Sequence, residues 1–499
     1  MGVLTLVEDR PTPKCVYNWR VYSSAAVAAS AAIMIGYDSA FIGGTLALSS
    51  FKSEFGFDKL STSEVAFLQA NIVSCYQAGA FFGAFFAYPF GHFYGRKWGL
   101  ALFSLIFIIG AAIRGRLVGL YEMSWQIGGL VGFWINYGVS KTMAPSHKQW
   151  IIPFAIQLIP AGMLFTGAFI IRESPRWLFS RGRREEGLKT LCWLRMLNQD
   201  DIYLQEEVYA IDKAIEDQRT TIGLGFWQPF RAVFSDRRTT NRLLLGSSLF
   251  MWQNATGINA INYYSPTVFK SIGVTGTNTS LLTTGIFGVI KTTVTLFWLF
   301  YLIDRLGRRG LLLFGSIAGS LCMWYIGGYI AISDPASKTS TSTSLSSGGI
   351  SAMFFFYLWT CTYTPSWNGT PWVLNSEMFN QNVRTLAQAC AAASNWLWNF
   401  IIARFTPQMF NSMYYGVYFF FASLMLCSFV YVYFLIPETK AIPLEKMDQL
   451  FSSGLPARKA HQIVMSELRS EDEQFRRESV SAKATEADVG IEERRVEHV

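Results

Sequence analysis

The sequence predicts an all-α membrane protein built as two similar helix bundles. Three observations carry this: a composition poor in charge, a series of apolar stretches of bilayer-spanning length, and a weak repeat on either side of a charged centre. Charged residues are 15% of the 499 and hydrophobic residues 51%, against about a quarter charged in ordinary soluble domains. Lipid is therefore the solvent for most of the chain. The net charge of +8 lies between the apolar stretches, where membrane orientation calls for it, and so does not point to nucleic acid. The seven cysteines are scattered, with Cys75, Cys322, Cys361, Cys390 and Cys427 inside apolar stretches. That is neither a disulfide framework nor a metal-ligand spacing. No enzyme, cofactor or metal is expected.

In chain order, residues 1–20 carry Glu8, Asp9, Arg10 and Lys14 without the apolar core of a cleavable signal peptide, and are expected as a cytoplasmic N-terminus. Ten apolar stretches come next, at 21–48, 67–91, 117–139, 149–171, 243–273, 279–303, 310–332, 351–375, 386–409 and 413–436, each near the ~20 residues that cross a bilayer. Regions 172–242 and 441–499 hold charge runs such as Arg181, Arg183, Arg184, Glu185, Glu186 and Glu471, Asp472, Glu473. They are expected to be a cytoplasmic central loop and a disordered cytoplasmic tail. The division is then an N-terminal bundle over 21–171 and a C-terminal six-helix bundle over 243–440.

Placing both termini in the cytoplasm puts the large majority of the 42 Lys and Arg on that side, as the positive-inside rule requires. Gly95-Arg96-Lys97 matches Gly307-Arg308-Arg309, and Arg114 matches Arg384, so the two halves repeat. Their lengths differ. From Arg308 to Arg384 is 76 positions, but from Arg96 to Arg114 only 18. The Ser/Thr-rich loop 333–349 accounts for 17 of the difference and leaves 41, about one span, half of another and a connector. Trp98 to Ile113, bounded by basic clusters that charge puts on one side, is a short remnant that cannot cross once. The first bundle is thus expected to be incomplete, with its gap near 111–113. Ser376-Glu377 precede Arg384 by eight and seven positions, whereas Phe107 stands seven before Arg114.

The motifs resemble those of the sugar porter family of the major facilitator superfamily, over roughly residues 8–450. Gly36-Tyr37-Asp38 resembles the family's G-Y-D. Glu173-Ser174-Pro175-Arg176-Trp177-Leu178 is similar to P-E-S-P-R-W-L, with Arg172 for its first proline. Asp304-Arg305-Leu306-Gly307-Arg308-Arg309 matches the D-x-x-G-R-R loop, and Pro437-Glu438-Thr439-Lys440 the P-E-T-K end. Leu4 to Tyr22 and Gly115 to Gly138 resemble fungal quinate permeases within that family. The resemblance implies the major facilitator fold of nominally twelve spans, here about ten plus the remnant, in the plasma membrane. It also implies alternating access between the halves, with proton coupling.

By the same resemblance, Gln253-Asn254-Ala255-Thr256-Gly257-Ile258-Asn259 corresponds to the Q-Q-x-x-G-I-N signature of span seven, so Gln253, Asn254 and Asn259 are candidate substrate amides. Trp367 is expected to stack on a substrate ring, with Asn395 and Trp396 completing the site. Polar side chains in spans also tie helices together, which is the plainer reading of these amides. Arg308, Arg309, Glu377 and Arg384 would latch the cytoplasmic side in the second half, and Arg96, Glu173 and Arg176 in the first, where the glutamate matching Glu377 is missing. Asn278 is a candidate glycosylation acceptor.

Carboxylates within spans are functional candidates by default, which singles out Asp38 and Glu122. Asp38 matches the proton-coupling aspartate of the family, whose arginine partner comes from span four, the span this chain lacks. Glu122 stands where relatives carry a sugar-binding glutamine. Lys291 lies 12 positions from each end of the stretch 279–303, too deep to snorkel. It is either a structural partner of Glu122 or Asp38, or a counter-ion for an anionic substrate such as quinate, with Arg404 drawing the anion inward. The expected partners are thus a small polyhydroxylated acid or sugar, a proton and the bilayer. A nutrient sensor of the same family and a non-transporting shortened product are the competing readings.

Overall fold

A computed structural model describes residues 12–110, 119–274, 276–335, 346–379 and 381–440, with short pieces of the tail as far as 470. The described elements are helical throughout. The first half holds α1 (Trp19–Ala47), α2 (Ser49–Glu54), α3 (Thr62–Phe93), α4 (Arg96–Gly110), α5 (Gly119–Thr142), α6 (His147–Ile156) and α7 (Leu158–Ile170). The central region forms α8 (Pro175–Ser180), α9 (Arg184–Arg195), α10 (Ile202–Thr221) and α11 (Gln228–Ser235). The second half holds α12 (Arg237–Ala255), α13 (Ile258–Ile272), α14 (Thr277–Phe297), α15 (Ile303–Leu306), α16 (Arg308–Ser333), α17 (Ser347–Tyr363), α18 (Thr370–Glu377), α19 (Gln381–Met413) and α20 (Gly416–Leu435). A short α21 (Met447–Ser452) follows, and residues 459–468 of the tail are helical as well.

Helix starts sit where sequence places cap residues. Asn18 Oδ1 accepts from the Arg20 and Val21 amides, and Asp236 accepts from those of Arg238 and Thr239. Ser61 and Glu64 form a capping box ahead of α3. Each satisfies backbone donors that the helix itself leaves unpaired. Six of the described helical stretches are long and apolar enough to cross a membrane unaided by context. The others are broken or carry polar positions. The span expected at 243–273 starts six residues earlier and divides at Gly257. The span at 351–375 passes through a π-helical turn at Thr364–Asn368.

Contacts fix the helix directions. His147 at the start of α6 meets Glu54 at the end of α2, so both lie on one face, called here the far side. Glu173, just after α7, accepts from the Arg96 amide at the start of α4, so these share the opposite face with α8–α11. Helices α1 and α5 are parallel: Gly128 packs on Ile33, and Asn136 Nδ2 donates to Phe41 O at 2.7 Å. Helices α4 and α5 are therefore consecutive in the chain yet both point toward the far side. At 15 residues α4 is about 22 Å long, short of a ~30 Å core. The expected gap near 111–113, and the whole join at 111–118, fall outside the described residues. Among the described residues the first half contributes four full-length crossing elements and the short α4, and the second half six.

Two expectations are corrected. The central region 172–242 is not an open loop, because apolar residues at helical spacing among its charges, such as Leu178, Leu191, Leu204 and Val233, become buried. In the tail, Ile442, Met447, Leu450, Ala460 and Val464 gather into a small apolar cluster. The part of the tail that is described is thus packed helix rather than disorder.

The α1–α5 packing is tight enough to test. A Cβ on Gly128 would lie 2.1 Å from the Ile33 carbonyl oxygen, and backbone cannot move aside. Gly128→Val is expected to cost about 3 kcal/mol, the upper end of ordinary overpacking, and to abolish the monodisperse peak of solubilised protein on size-exclusion chromatography.

Candidate substrate-binding site

The halves meet along three seams, α1 with α13, α5 with α14 and α3 with α19. Where α1, α5, α13 and α14 converge, a cavity is lined by Ser39, Trp125, Gln126, Phe133, Asn262 and Lys291, among others. Its free volume, about 20 Å³, takes roughly one water-sized occupant. This conformation is closed around Lys291, which is only 4% exposed. The Lys291 ammonium lies 5.9 Å from the centroid of the Phe287 ring, one turn earlier on α14. Trp125 stacks on Trp396 with ring centroids 6.3 Å apart, and Trp396 meets Tyr76 edge-on at 5.6 Å. The Tyr76 hydroxyl is 3.4 Å from Ser39 Oγ. Three aromatic rings from α5, α19 and α3 thus abut the cavity across the seam.

The expected amides form a neighbouring cluster. Asn254 Nδ2 donates to Asn395 Oδ1 at 2.9 Å and to Phe250 O at 2.8 Å, while Asn259 Nδ2 donates to Asn254 Oδ1. This chain crosses the α12–α13 break, where Gly257 has φ +85°. Gln253 Nε2 donates to the carbonyls of Trp367 and Asn368 at 2.8 and 2.7 Å, backbone groups freed by the π-helical turn. In this conformation both Asn254 and the Gln253 Nε2 tie helices together, while Gln253 Oε1 is buried without a partner among the described residues.

Trp367 is placed elsewhere than expected. It is 0% exposed in the core of the second half, and its indole N–H donates to Ser316 Oγ of α16 at 3.0 Å. Trp372, five residues on, packs on Phe250 at 4.4 Å and joins Ala391, Ala392 and Ala84, the last belonging to the other half. Trp372 is thus the tryptophan of this segment that faces the seam. Five positions apart on a helix, the two rings point about 140° apart, so only one of them can face the seam.

Asp38 is buried in α1 and is not without contacts. Glu122 falls on α5, with its side chain outside the described residues. The Arg404 guanidinium lies 4.7 Å from the Phe67 ring centroid, across the α3–α19 seam toward the far side. Asn278 is exposed and accepts from Ser140 Oγ at 2.7 Å.

On the loop side, the Arg308 guanidinium pairs with Glu377 at 2.9 Å, and Thr439 Oγ1 donates to the same carboxylate at 2.7 Å. Arg309 donates to Tyr433 O and Arg384 to Phe379 O, at 2.9 and 3.0 Å. Glu438 accepts from the amides of Arg308 and Arg309 at 2.9 and 3.0 Å. In the first half Glu173 does the same for Arg96 and Lys97, at 2.9 and 3.1 Å. Both carboxylates sit at a helix N-terminus, where unpaired amides and the helix dipole favour an anion. Gly95 and Gly307, at φ +91° and +78°, allow the approach. Glu438 was not expected as the counterpart of Glu173, although each is followed by a hydroxyl residue, Ser174 or Thr439. Arg176, on α8, lies near Arg96 and Arg384. Burial, then the like charges of Arg96 and Arg384, hold its guanidinium below its ordinary pKa. Glu438→Ala is expected to lower stability by about 1–3 kcal/mol, the range for unpairing buried donors, read as a fall in Tm.

Of the cavity-lining residues, Ser39, Trp125, Gln126 and Asn262 were not expected. Asn262 lies three residues after Asn259 on the same helical face, which spacing could have revealed. The others depended on which side of α1 and α5 meets α14.

A small cavity between two bundles of membrane-length helices, with a buried ammonium on its wall, is an arrangement that a multi-pass membrane transporter has. The "Sugar (and other) transporter" family profile matches residues 24–113 and 111–451. A "Probable quinate permease" of Aspergillus fumigatus is 60% identical over 542 aligned positions, covering 100% of this chain and 99% of that protein. Those of Neosartorya fischeri and Aspergillus niger are 61% and 59% identical over 95% and 98% of this chain, and 95% and 98% of theirs. The xylose transporter XylE from E. coli, in a partially occluded inward open conformation, superposes with TM-score 0.68 at 23% identity, covering 85% of this chain and 100% of that one. The proton:xylose symporter XylE bound to 6-bromo-6-deoxy-D-glucose gives 0.67 at 22%, covering 86% and 99%. The chain belongs to the sugar (and other) transporter family and has the major facilitator fold.

Proposed function

We propose that this chain is a permease for quinate or a closely related polyhydroxylated acid. Lys291 carries the reading. An ammonium 4% exposed at mid-helix, on the wall of a cavity between the halves, is expensive in lipid and suits a carboxylate entering a low-dielectric site. Ser39, Gln126 and Asn262 supply donors and acceptors for hydroxyls beside it. The relatives named as quinate permeases support the same solute. The present cavity is too small for such a molecule, so binding requires the seams to part, as alternating access provides. Asp38, buried in α1 next to the lining residue Ser39, is the proposed proton-coupling group. The loop side is cytoplasmic in this reading, and the plasma membrane its location. Uptake of radiolabelled quinate by cells lacking their own permease tests it, and accumulation of glucose but not quinate would refute it.

A second reading concerns this chain's length. The family profile matches in two pieces that meet at 111–113, beside two helices that point the same way. The alignment needs 542 positions to cover 499 residues, so at least 43 positions of that relative face no residue here. The chain would then be a shortened form that keeps the second-half site but does not transport.

A further inference from the structure

We infer that Gln77 of α3 is a substrate-contacting residue, the first half's amide for substrate hydroxyls opposite the amides of the second half. This rests on the reading of the chain as a binder of polyhydroxylated solutes, and deepens it by naming a specificity residue.

The face of α3 that α19 covers is the buried stripe Ala66, Ala70, Val73, Ser74 and Gln77, at helical spacing. The two helices run antiparallel, with Phe67 beside Arg404, Tyr76 against Trp396, and Ala84 among Ala391 and Ala392. That register sets Gln77 level with Asn395, Trp396 and Asn399. Gln77 is 0% exposed, yet neither its Oε1 nor its Nε2 has a hydrogen-bond partner among the described residues. Across the seam, buried Asn399 Oδ1 is in the same condition.

A leucine would fill this space without the desolvation penalty of an unmade amide. What the amide offers is one acceptor and two donors, and the adjacent hydroxyls of a polyol match both. The location puts that chemistry within reach of the cavity. Tyr76, the preceding residue, touches the lining residue Ser39, and its ring abuts Trp396, which stacks on the lining residue Trp125. Trp396 thus stands between the α3–α19 seam and the cavity wall. When α3 and α19 part, Gln77 and Asn399 become the first polar groups on that side, while Lys291 holds the carboxylate on the other.

The test is binding of radiolabelled quinate, and of quinate analogues lacking single hydroxyls, to the detergent-purified full chain and to Gln77→Leu, with Tm measured without ligand. Expected are an unchanged or raised Tm for Gln77→Leu, at least a tenfold weaker quinate affinity, and a smaller penalty for one particular deoxy analogue. Unchanged quinate affinity in a stabilised Gln77→Leu would overturn the inference, leaving Gln77 a hydrated seam residue. A lowered Tm would overturn it too, by showing that Gln77 has a structural partner. Gln77→Asn, which keeps the chemistry on a shorter arm, is expected to retain part of the affinity. If the unaltered chain binds xylose or glucose but not quinate, the solute reading fails while the Gln77 comparison is made with that sugar. If it binds no polyol, both fail.

Discussion

Lys291→Asn, made in a chain that carries quinate, is expected to abolish uptake while leaving the amount of protein at the cell surface unchanged. A charge-assisted hydrogen bond is worth about 1.5–3 kcal/mol, so losing the counter-ion should weaken quinate roughly 10- to 150-fold. An amide at this position still bonds hydroxyls but cannot offset the desolvation of a carboxylate. The same change should therefore spare neutral polyols, and competition by xylose or inositol against quinate separates the two effects. Quinate uptake of ordinary affinity by Lys291→Asn would defeat the counter-ion role. Loss of surface protein would instead mean that Lys291 is structural, paired with Glu122 or Asp38.

A larger effect is expected from length. On the shortened-form reading, the chain as it stands gives quinate accumulation at background, and inserting after residue 110 a further crossing segment taken from the 60%-identical relative restores it. The reason is topological. Helices α4 and α5 point the same way, so one crossing is wanting between them. Rocking of one half against the other needs a first half that closes the pathway on its own side. Replacing by glutamine the arginine that the family resemblance places in span four would then show whether Asp38 is tuned by a partner, through a shift in the pH dependence of uptake. Robust uptake by the ungrafted chain would refute the shortened-form reading.

The apolar stretches were legible because a bilayer imposes one length and one composition on every crossing, and the basic clusters were legible because orientation demands them. The central helices were not legible, since their charges, as at Arg183 and Glu186 or Arg195 and Glu207, read as solvated loop although these ion pairs line helices packed against the bundle. Arg308 and Glu377 were singled out together by their motifs, and they do pair. The matching roles of Glu173 and Glu438 lie in backbone amides, which every residue has and no motif displays.

The aromatic of span ten shows the limit most plainly. Trp367 and Trp372 are five apart. Five positions on a regular helix already put the two rings about 140° apart, and only the folded segment shows that Trp372 turns to the seam and Trp367 to Ser316. Lys291 was found by depth alone, because a charge far from both helix ends is improbable in lipid wherever it points. Its companions Ser39, Gln126 and Asn262 belong to three other helices, and Gln77 to a fourth. By itself the sequence determined the solvent, the crossings, the repeat and the buried charge, which are local or periodic properties of the chain. Tertiary structure alone decided which faces meet, because packing between helices depends on close approach of residues such as Gly128 and Ile33 that lie far apart in sequence.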